Sequence, residues 1–257
     1  MRRRFFVDHF ENQRASMSGE AAHHLGRVLR AQPGQLYELS DGTSVWLGRI
    51  EIVKRDEVKF QLLERLPGYV PRLRTTLLLS VVKFDAFEWA LEKATELGVT
   101  RIVPLAAARS ERAFLSAAPK RAERWKKILL ESSQQCRRVQ LPLLDPLAKP
   151  EAAFDAQKDD IRILLSEAPA AKSLREILTS AQPRPLNCHS EPSEESAFRQ
   201  VTTALLAIGP EGGWTHAEFA AARAAGLHEA SLGKLILRTE TAVVASLAAL
   251  NFALSLE

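Results

Sequence analysis

Residues 205–246 read LLAIGPEGGWTHAEFAAARAAGLHEASLGKLILRTETAVVAS, and they constrain the fold more than any other stretch. The run Leu205, Leu206, Ala207 and Ile208 predicts a short buried strand. It stops in Gly209-Pro210-Glu211-Gly212-Gly213, three glycines around one carboxylate. Thr215 reads as a helix N-cap with Glu218 as its capping-box partner, and Gly226 as the residue just past the helix end. A second short apolar piece leads to Leu232-Gly233, residues 234–237 and then Arg238-Thr239-Glu240-Thr241. A last helix follows, with Val243, Leu247, Leu250 and Leu254 on one face. Two glycine-bearing loops thus flank one helix. Glycine permits positive φ and close backbone approach to a ligand, and loops at strand ends are where open α/β sheets bind ligands. GPEGG alone is equally compatible with an ordinary strand-to-helix turn; its pairing with LGxLxLRTET is far more specific.

The same strand–helix alternation runs back to Thr75. Residues 76–82 form a β-rich apolar run. Phe87, Ala90, Leu91, Ala94 and Leu97 recur at helical spacing, and Gly98 closes that helix. Residues 101–105 predict a strand. Residues 118–135 predict a long helix with Trp125, Ile128 and Leu129 inward, and 161–165 a strand ending in Ser166-Glu167. This order implies a parallel sheet with helices on its faces. Neither GxGxxG after the first strand nor GxxxxGK[ST] occurs, which argues against dinucleotide and P-loop folds. Residues 181–200 carry three prolines and three acids with few apolar side chains, and they read as an exposed, disordered insertion.

Before the linker Pro67-Gly68-Tyr69-Val70-Pro71 the pattern differs. Residues 5–7, 35–40, 44–53 and 58–63 predict short strands, with Asp41-Gly42 as a hairpin turn, so a small barrel or sandwich is expected. Residues 18–30 predict a helix on which His24 and Arg27, and Arg27 and Arg30, lie three apart on a shared face. The domain boundary falls at 70/71. The net charge is +4, and all of it lies in residues 1–74, which hold 13 basic and 9 acidic residues. A basic first module beside a neutral remainder suggests an anionic partner. The arginines Arg2, Arg3, Arg4, Arg27 and Arg30 are candidate phosphate grips, with a solvated basic surface as the alternative.

No apolar run reaches the length of a membrane span, and MRRRFFVDHF lacks the features of a signal peptide. Cys136 and Cys188 show neither metal spacing nor a disulfide framework; His189 beside Cys188 does not make a metal site without further spaced ligands. A reducing cytoplasm is the expected location, with no metal and no membrane partner.

The pairing of the two glycine loops resembles the RsmE family, S-adenosylmethionine-dependent methyltransferases of the SPOUT class that methylate N3 of a uridine in 16S ribosomal RNA. Three further stretches carry the resemblance: residues 24–30, HLGRVLR; 92–99, EKATELGV, followed by Ile102 and Pro104; and Gln135-Cys136 with Arg138 and Pro142. Two positions depart from the family pattern: Leu235, where a basic residue is usual, and Gln134, where Glu is usual. The resemblance implies a PUA-like RNA-binding β-barrel over 1–70 and a SPOUT domain with a trefoil knot over 71–257. Physical reading of the chain would not suggest the knot, because knots are almost absent from proteins. It also implies S-adenosylmethionine held by Leu165, Ser166, Glu167, Ile208, Gly209, Pro210, Glu211, Gly212, Gly213, Leu232, Gly233, Ile236, Leu237, Arg238 and Thr241. RNA would be held by Arg2, Arg3, Arg4, His24, Arg27 and Arg30.

Methylation at uridine N3 removes a proton from the Watson–Crick edge, so the target must be unpaired or turned out of its stack. Glu240 as base and Arg238 as charge stabiliser are the catalytic candidates, with Glu211 the second choice for the base. Alternatively Arg238 and Glu240 only order the start of the last helix. That helix carries a second stripe, Ala242, Ala245, Ala249 and Ala253, which together with the resemblance points to a homodimer. Two other functions fit less well: the same chemistry on another RNA, such as a transfer-RNA ribose, and a non-catalytic RNA-binding protein.

Overall fold

A computed structural model describes residues 3–156, 158–181 and 202–254. Arg2, Cys188, His189 and nearly all of the expected insertion at 181–200 lie outside the described residues. The chain divides into two compact units, Met1–Val70 with Leu130–Leu141, and Pro71–Leu129 with Pro142–Glu257. The 70/71 break was legible in the proline-bracketed linker, but the contribution of Leu130–Leu141 to the first unit was not.

In the first unit, β1 (Arg4–Phe6), β2 (Phe10–Glu11), β3 (Arg14–Ser18), β4 (Leu36–Ser40), β5 (Val45–Val53) and β6 (Glu57–Leu66) form one sheet in the order β1-β4-β5-β6-β3-β2. Only β1 and β4 pair in parallel. The sheet curls around Phe5, Leu25, Leu39, Ile50, Val58 and Phe60. Asp41 Oδ1 accepts the Thr43 and Ser44 N–H groups at 2.8 Å and shapes the β4–β5 turn. The strands β2 and β3 were not expected. Their signal is short: Ala15 and Met17 are buried while their neighbours are exposed, a period of two. Asn12 and Gln13 at φ 46° and 60° turn the chain between them.

The helix expected over 18–30 is two pieces, α1 (Gly19–His23) and a π-helical turn, His24–Val28. Leu29 N donates to His24 O at 3.0 Å across the wider turn. Gly26 sits in it where a Cβ would come within 3.1 Å of Val53 Cγ1. The wider turn rotates residues three apart away from each other, so His24 and Arg27 do not share a face as an α-helix would make them. Arg27 and Arg30 are both exposed, and Arg30 has φ 52°.

Arg4 corrects another expectation. It is only 6% exposed. Its Nε and Nη2 donate to Glu38 Oε2 at 3.2 and 2.9 Å, and its Nη1 donates to the Arg137 carbonyl. Arg137 Nη1 stands 3.4 Å from Glu38 Oε1. Arg4 is turned inward, where it offsets a buried carboxylate, and its guanidinium faces Glu38 and Arg137 instead of standing open to a phosphate. Arg3 is exposed.

In the second unit the elements run β7 (Leu73–Ser80), α2 (Phe84–Glu96), β8 (Arg101–Leu105), α3 (Arg112–Gln135, its last turns in the first unit), β9 (Leu143–Leu144), α4 (Pro150–Asp155), β10 (Ile161–Leu165), β11 (Lys172–Ser173), α5 (Leu174–Ala181), β12 (Thr202–Ile208), α6 (His216–Ala224), β13 (His228–Ser231) and α7 (Thr239–Leu254). The sheet is entirely parallel, in the order β11-β13-β10-β12-β7-β8-β9. Both faces are covered. Leu77, Leu79, Ala204, Leu206 and Ile208 pack with Phe87, Trp125, Leu178 and Val243, while Leu78, Leu205 and Ala207 pack with Phe154 and Ala222. This explains why the central strands read as unbroken apolar runs. The second unit is thus a parallel α/β sheet covered by helices on both faces, and the first a curled, mostly antiparallel β-sheet.

One expectation for the last part of the chain changes. Between β13 and α7, Leu235 and Ile236 are 83% and 79% exposed. Val243, Leu247 and Leu250 of α7 are buried as expected, but Ala242, Ala249 and Ala253 also pack against their own core. The outward apolar side chain is Phe252, 94% exposed.

Candidate active site

The carboxyl ends of β10, β12 and β13, three neighbours in the sheet, each open into a loop, and the loops enclose a cavity of about 930 Å³. Sheet topology puts it where parallel α/β folds bind ligands. Residues separated in sequence by up to about seventy positions thereby share one surface: Leu165 at the end of β10 with Ser166 and Glu167 beyond it; Ile208 at the end of β12 with Gly209, Pro210, Glu211, Gly212 and Gly213 beyond it; and Leu232, Gly233, Ile236, Leu237 and Arg238 after β13.

Hydrogen bonds tie the loops together. Ser166 N donates to Ala230 O at 2.8 Å, and Ser166 Oγ donates to Glu229 Oε1 at 2.7 Å. The Trp214 indole N–H donates to Leu165 O at 3.0 Å, joining the second loop to the first. Thr239 Oγ1 donates to Gly209 O at 3.3 Å, joining α7 to the second. Within the third loop, Ser231 Oγ donates to Gly233 O at 2.9 Å and accepts from Gly233 N at 3.1 Å.

The glycines are needed for different reasons. Gly213 closes the turn at φ 69° with its N–H on Pro210 O at 2.8 Å, and Gly233 has φ 134°; both lie in the left-handed half of φ space. Gly209 and Gly212 are small because of protein neighbours. A Cβ on Gly209 would lie 3.0 Å from the Trp214 ring, and one on Gly212 3.2 Å from Arg109 Cβ.

Arg109 belongs to an arm of the site that the sequence did not reveal. The turn after β8 crosses to the second loop, where Arg109 Nη1 donates to Gly212 O at 2.8 Å. Glu218 fixes that turn. It is 2% exposed and completes the expected capping box: Oε2 accepts Thr215 N at 2.7 Å and Thr215 Oγ1 at 2.8 Å, and Thr215 Oγ1 accepts Glu218 N at 3.3 Å. Its Oε1 accepts Ala108 N at 2.8 Å. One buried carboxylate therefore holds both the start of α6 and the turn that carries Arg109.

Two sequence candidates fall off the surface. Glu240 and Thr241 do not line the cavity, whereas Thr239 and Ala242 do. Residues three apart on a helix share a face, so 239 and 242 point inward and the two between them are rotated aside. Glu240 Oε2 is buried without a hydrogen-bond partner, and Thr241 is exposed. Arg109, Trp214, Phe219, Ser231, Lys234 and Leu235 line the cavity and were not expected. Trp214 had a signal, following GPEGG directly; Arg109 had none. Among the described residues no group of three His, Cys, Asp or Glu could hold a metal, and no helix is long and apolar enough to cross a membrane.

Residues 70–251 match the model of a family described as RNA methyltransferase domain, and 18–63 that of the RNA methyltransferase PUA domain. The ribosomal RNA small subunit methyltransferase E of Synechocystis sp. is 34% identical over 232 residues, 89% of this chain and 70% of that protein. The Bacillus subtilis enzyme of the same name is 27% identical, over 92% and 89%. Among solved structures, that of the Neisseria gonorrhoeae enzyme bound to S-adenosylmethionine superposes with a TM-score of 0.80 at 28% identity, over 98% of each chain. With matching relatives along nearly its whole length and a family model spanning its second unit, the chain belongs to the ribosomal RNA small subunit methyltransferase E family of RNA methyltransferases.

Proposed function

We propose that this protein transfers a methyl group from S-adenosylmethionine to N3 of a uridine in 16S ribosomal RNA. The observation that carries the reading is the three-loop cavity at the carboxyl ends of β10, β12 and β13. Its residues suit the cofactor. Leu165, Ile208, Leu232 and Leu237 offer apolar walls to an adenine, and the loops offer bare backbone at Gly213 and Gly233. Glu167 and Glu211 place negative charge beside a cationic ligand. Bound there, the cofactor supplies a methyl carbon activated by its sulfonium.

The protein's own work is positioning, charge stabilisation and proton removal. Arg238 lines the cavity and can steady negative charge that builds on the base oxygens as N3 loses its proton. Glu211 lines it as well and is better placed than Glu240 to accept that proton. Residues 1–74 carry the basic excess, and the first unit exposes Arg3, Arg27 and Arg30; we assign that unit to RNA binding, as the PUA-like module over 1–70. We place the working unit as a homodimer in the cytoplasm, paired through the exposed side of α7 where Phe252 stands free.

The test is mass spectrometry of ribosomal RNA from cells with and without the protein, followed by labelled-cofactor transfer to small subunits in vitro. Loss of one 3-methyluridine from 16S RNA, restored by the protein, is the expected result. A change in a transfer RNA with intact ribosomal RNA overturns the assignment. Light scattering that gives a monomer at micromolar concentration overturns the dimer.

A further inference from the structure

Three cations line the cavity without a carboxylate partner among the described residues: Arg109 from the turn after β8, and Lys234 and Arg238 from the loop after β13. All three are exposed. Two carboxylates, Glu167 and Glu211, line the same cavity, yet no ion pair joins them to the cations. Arg109 instead spends one N–H on Gly212 O at 2.8 Å, and the backbone behind it is held by the buried Glu218. That bond fixes the guanidinium and leaves its other donors unpaired. A guanidinium held by its neighbour and facing water is arranged for a planar anion.

We propose that Arg109, Lys234 and Arg238 form a phosphodiester seat on the rim of the cavity that holds the RNA backbone beside the target nucleotide. The proposal rests on the methyltransferase reading for the identity of the RNA. A base turned out of its stack must have its flanking backbone held while the base is in the pocket, and cations on the rim of that pocket can supply the grip. Arg109 then acts as a positioning residue for substrate. A cofactor carboxylate has the same anionic chemistry, so the experiment must separate the two sources.

The experiment uses the full chain with Arg109→Gln and Lys234→Gln together. Binding of a short single-stranded RNA is followed by fluorescence anisotropy across a salt series, and binding of S-adenosylhomocysteine by calorimetry. Each phosphate contact contributes about 0.7 to the slope of log affinity against log salt for a single strand. The double variant is expected to flatten the slope by about 1.4, for two such contacts, with cofactor-product affinity within about twofold of wild type. Arg109→Lys keeps the charge and gives up the fork, so it is expected to retain most of the slope while raising the KM for RNA. Should the Arg109 change disturb the loop, Lys234→Gln alone, at an exposed side chain with no bond to lose, is expected to remove about 0.7 of slope. An unchanged slope in both variants overturns the seat. So does an unchanged slope with a tenfold loss of S-adenosylhomocysteine affinity, which would make these cations a cofactor-carboxylate site. If wild type binds no S-adenosylhomocysteine, the methyltransferase reading falls, while the slope still decides the phosphate seat.

Discussion

Replacing Glu218 should loosen the start of α6 and the turn carrying Arg109 together. Glu218→Ala removes the acceptor for Ala108 N, Thr215 N and Thr215 Oγ1, at 2.8, 2.7 and 2.8 Å. The capping contribution alone is about 1 kcal/mol. Bonds to a charged acceptor contribute about 1.5–3 kcal/mol each in favourable cases, which sets a ceiling that is not reached here. Ala108 is exposed, and water can take over its N–H. An expected loss of about 3 kcal/mol follows. With a urea dependence of about 3 kcal/mol per molar for a chain of this size, the midpoint falls by about 1 M. Tryptophan fluorescence reads it, because Trp89, Trp125 and Trp214 all lie in the second unit. Amide exchange should rise at Ala108 and Thr215 together, and S-adenosylhomocysteine should bind about tenfold more weakly, near 1.4 kcal/mol. Glu218→Gln provides the internal control: it can still accept from Ala108 N while presenting an NH₂ group to the Thr215 donors, so exchange should rise at Thr215 far more than at Ala108. A midpoint shift below about 0.3 M, the size of a helix cap alone, with Ala108 still protected, would refute the shared-carboxylate argument.

Gly212→Val and Gly233→Val are expected to abolish S-adenosylhomocysteine binding with the fold retained, the first by forcing the backbone of the second loop away from a neighbour 3.2 Å from the new Cβ and the second by straining a backbone at φ 134°; normal calorimetric affinity in either removes that loop from the pocket. Arg27→Ala with Arg30→Ala should weaken RNA binding and flatten its salt dependence by about 1.4, for two phosphate contacts, with cofactor affinity unchanged. Asp159 carries a different expectation. Burial raises its pKa, partly countered by Arg162, reinforced by Asp160 and countered again by Arg101, and its Oδ2 has no hydrogen-bond partner. A carboxyl held above its unfolded pKa binds its proton more tightly when folded. It therefore adds stability as pH falls into that raised range and withdraws it as pH rises to neutrality. Asp159→Asn should raise the melting temperature at pH 7 and change it little at pH 4; a lower melting temperature at pH 7 would show that Arg162 and Arg101 outweigh the burial.

The sequence by itself determined the elements whose causes are local. The apolar run at 205–208, the capping box from Thr215 to Glu218 and the glycine at 226 each act within a few residues, and each stands where the sequence placed it. The break at 70/71 was legible for the same reason, since proline and glycine act on their own backbone. Where the cause was a distant partner, the sequence misled or was silent. Arg4 looked like a phosphate grip until Glu38 and Arg137 enclosed it. Gly212 looked like a place of ligand approach, but the atom nearest its missing Cβ belongs to Arg109, 103 positions away. The strict α-helical face assumed for His24, Arg27 and Arg30 gave way to a π-helical turn. Glu240 and Thr241 were adjacent in sequence to true cavity residues, yet rotation along α7 turns them aside. Only the tertiary structure could decide these points, because strand order in a parallel sheet is set by crossovers across the whole chain. That order, β13-β10-β12-β7-β8, makes neighbours of four loops that no local pattern connects.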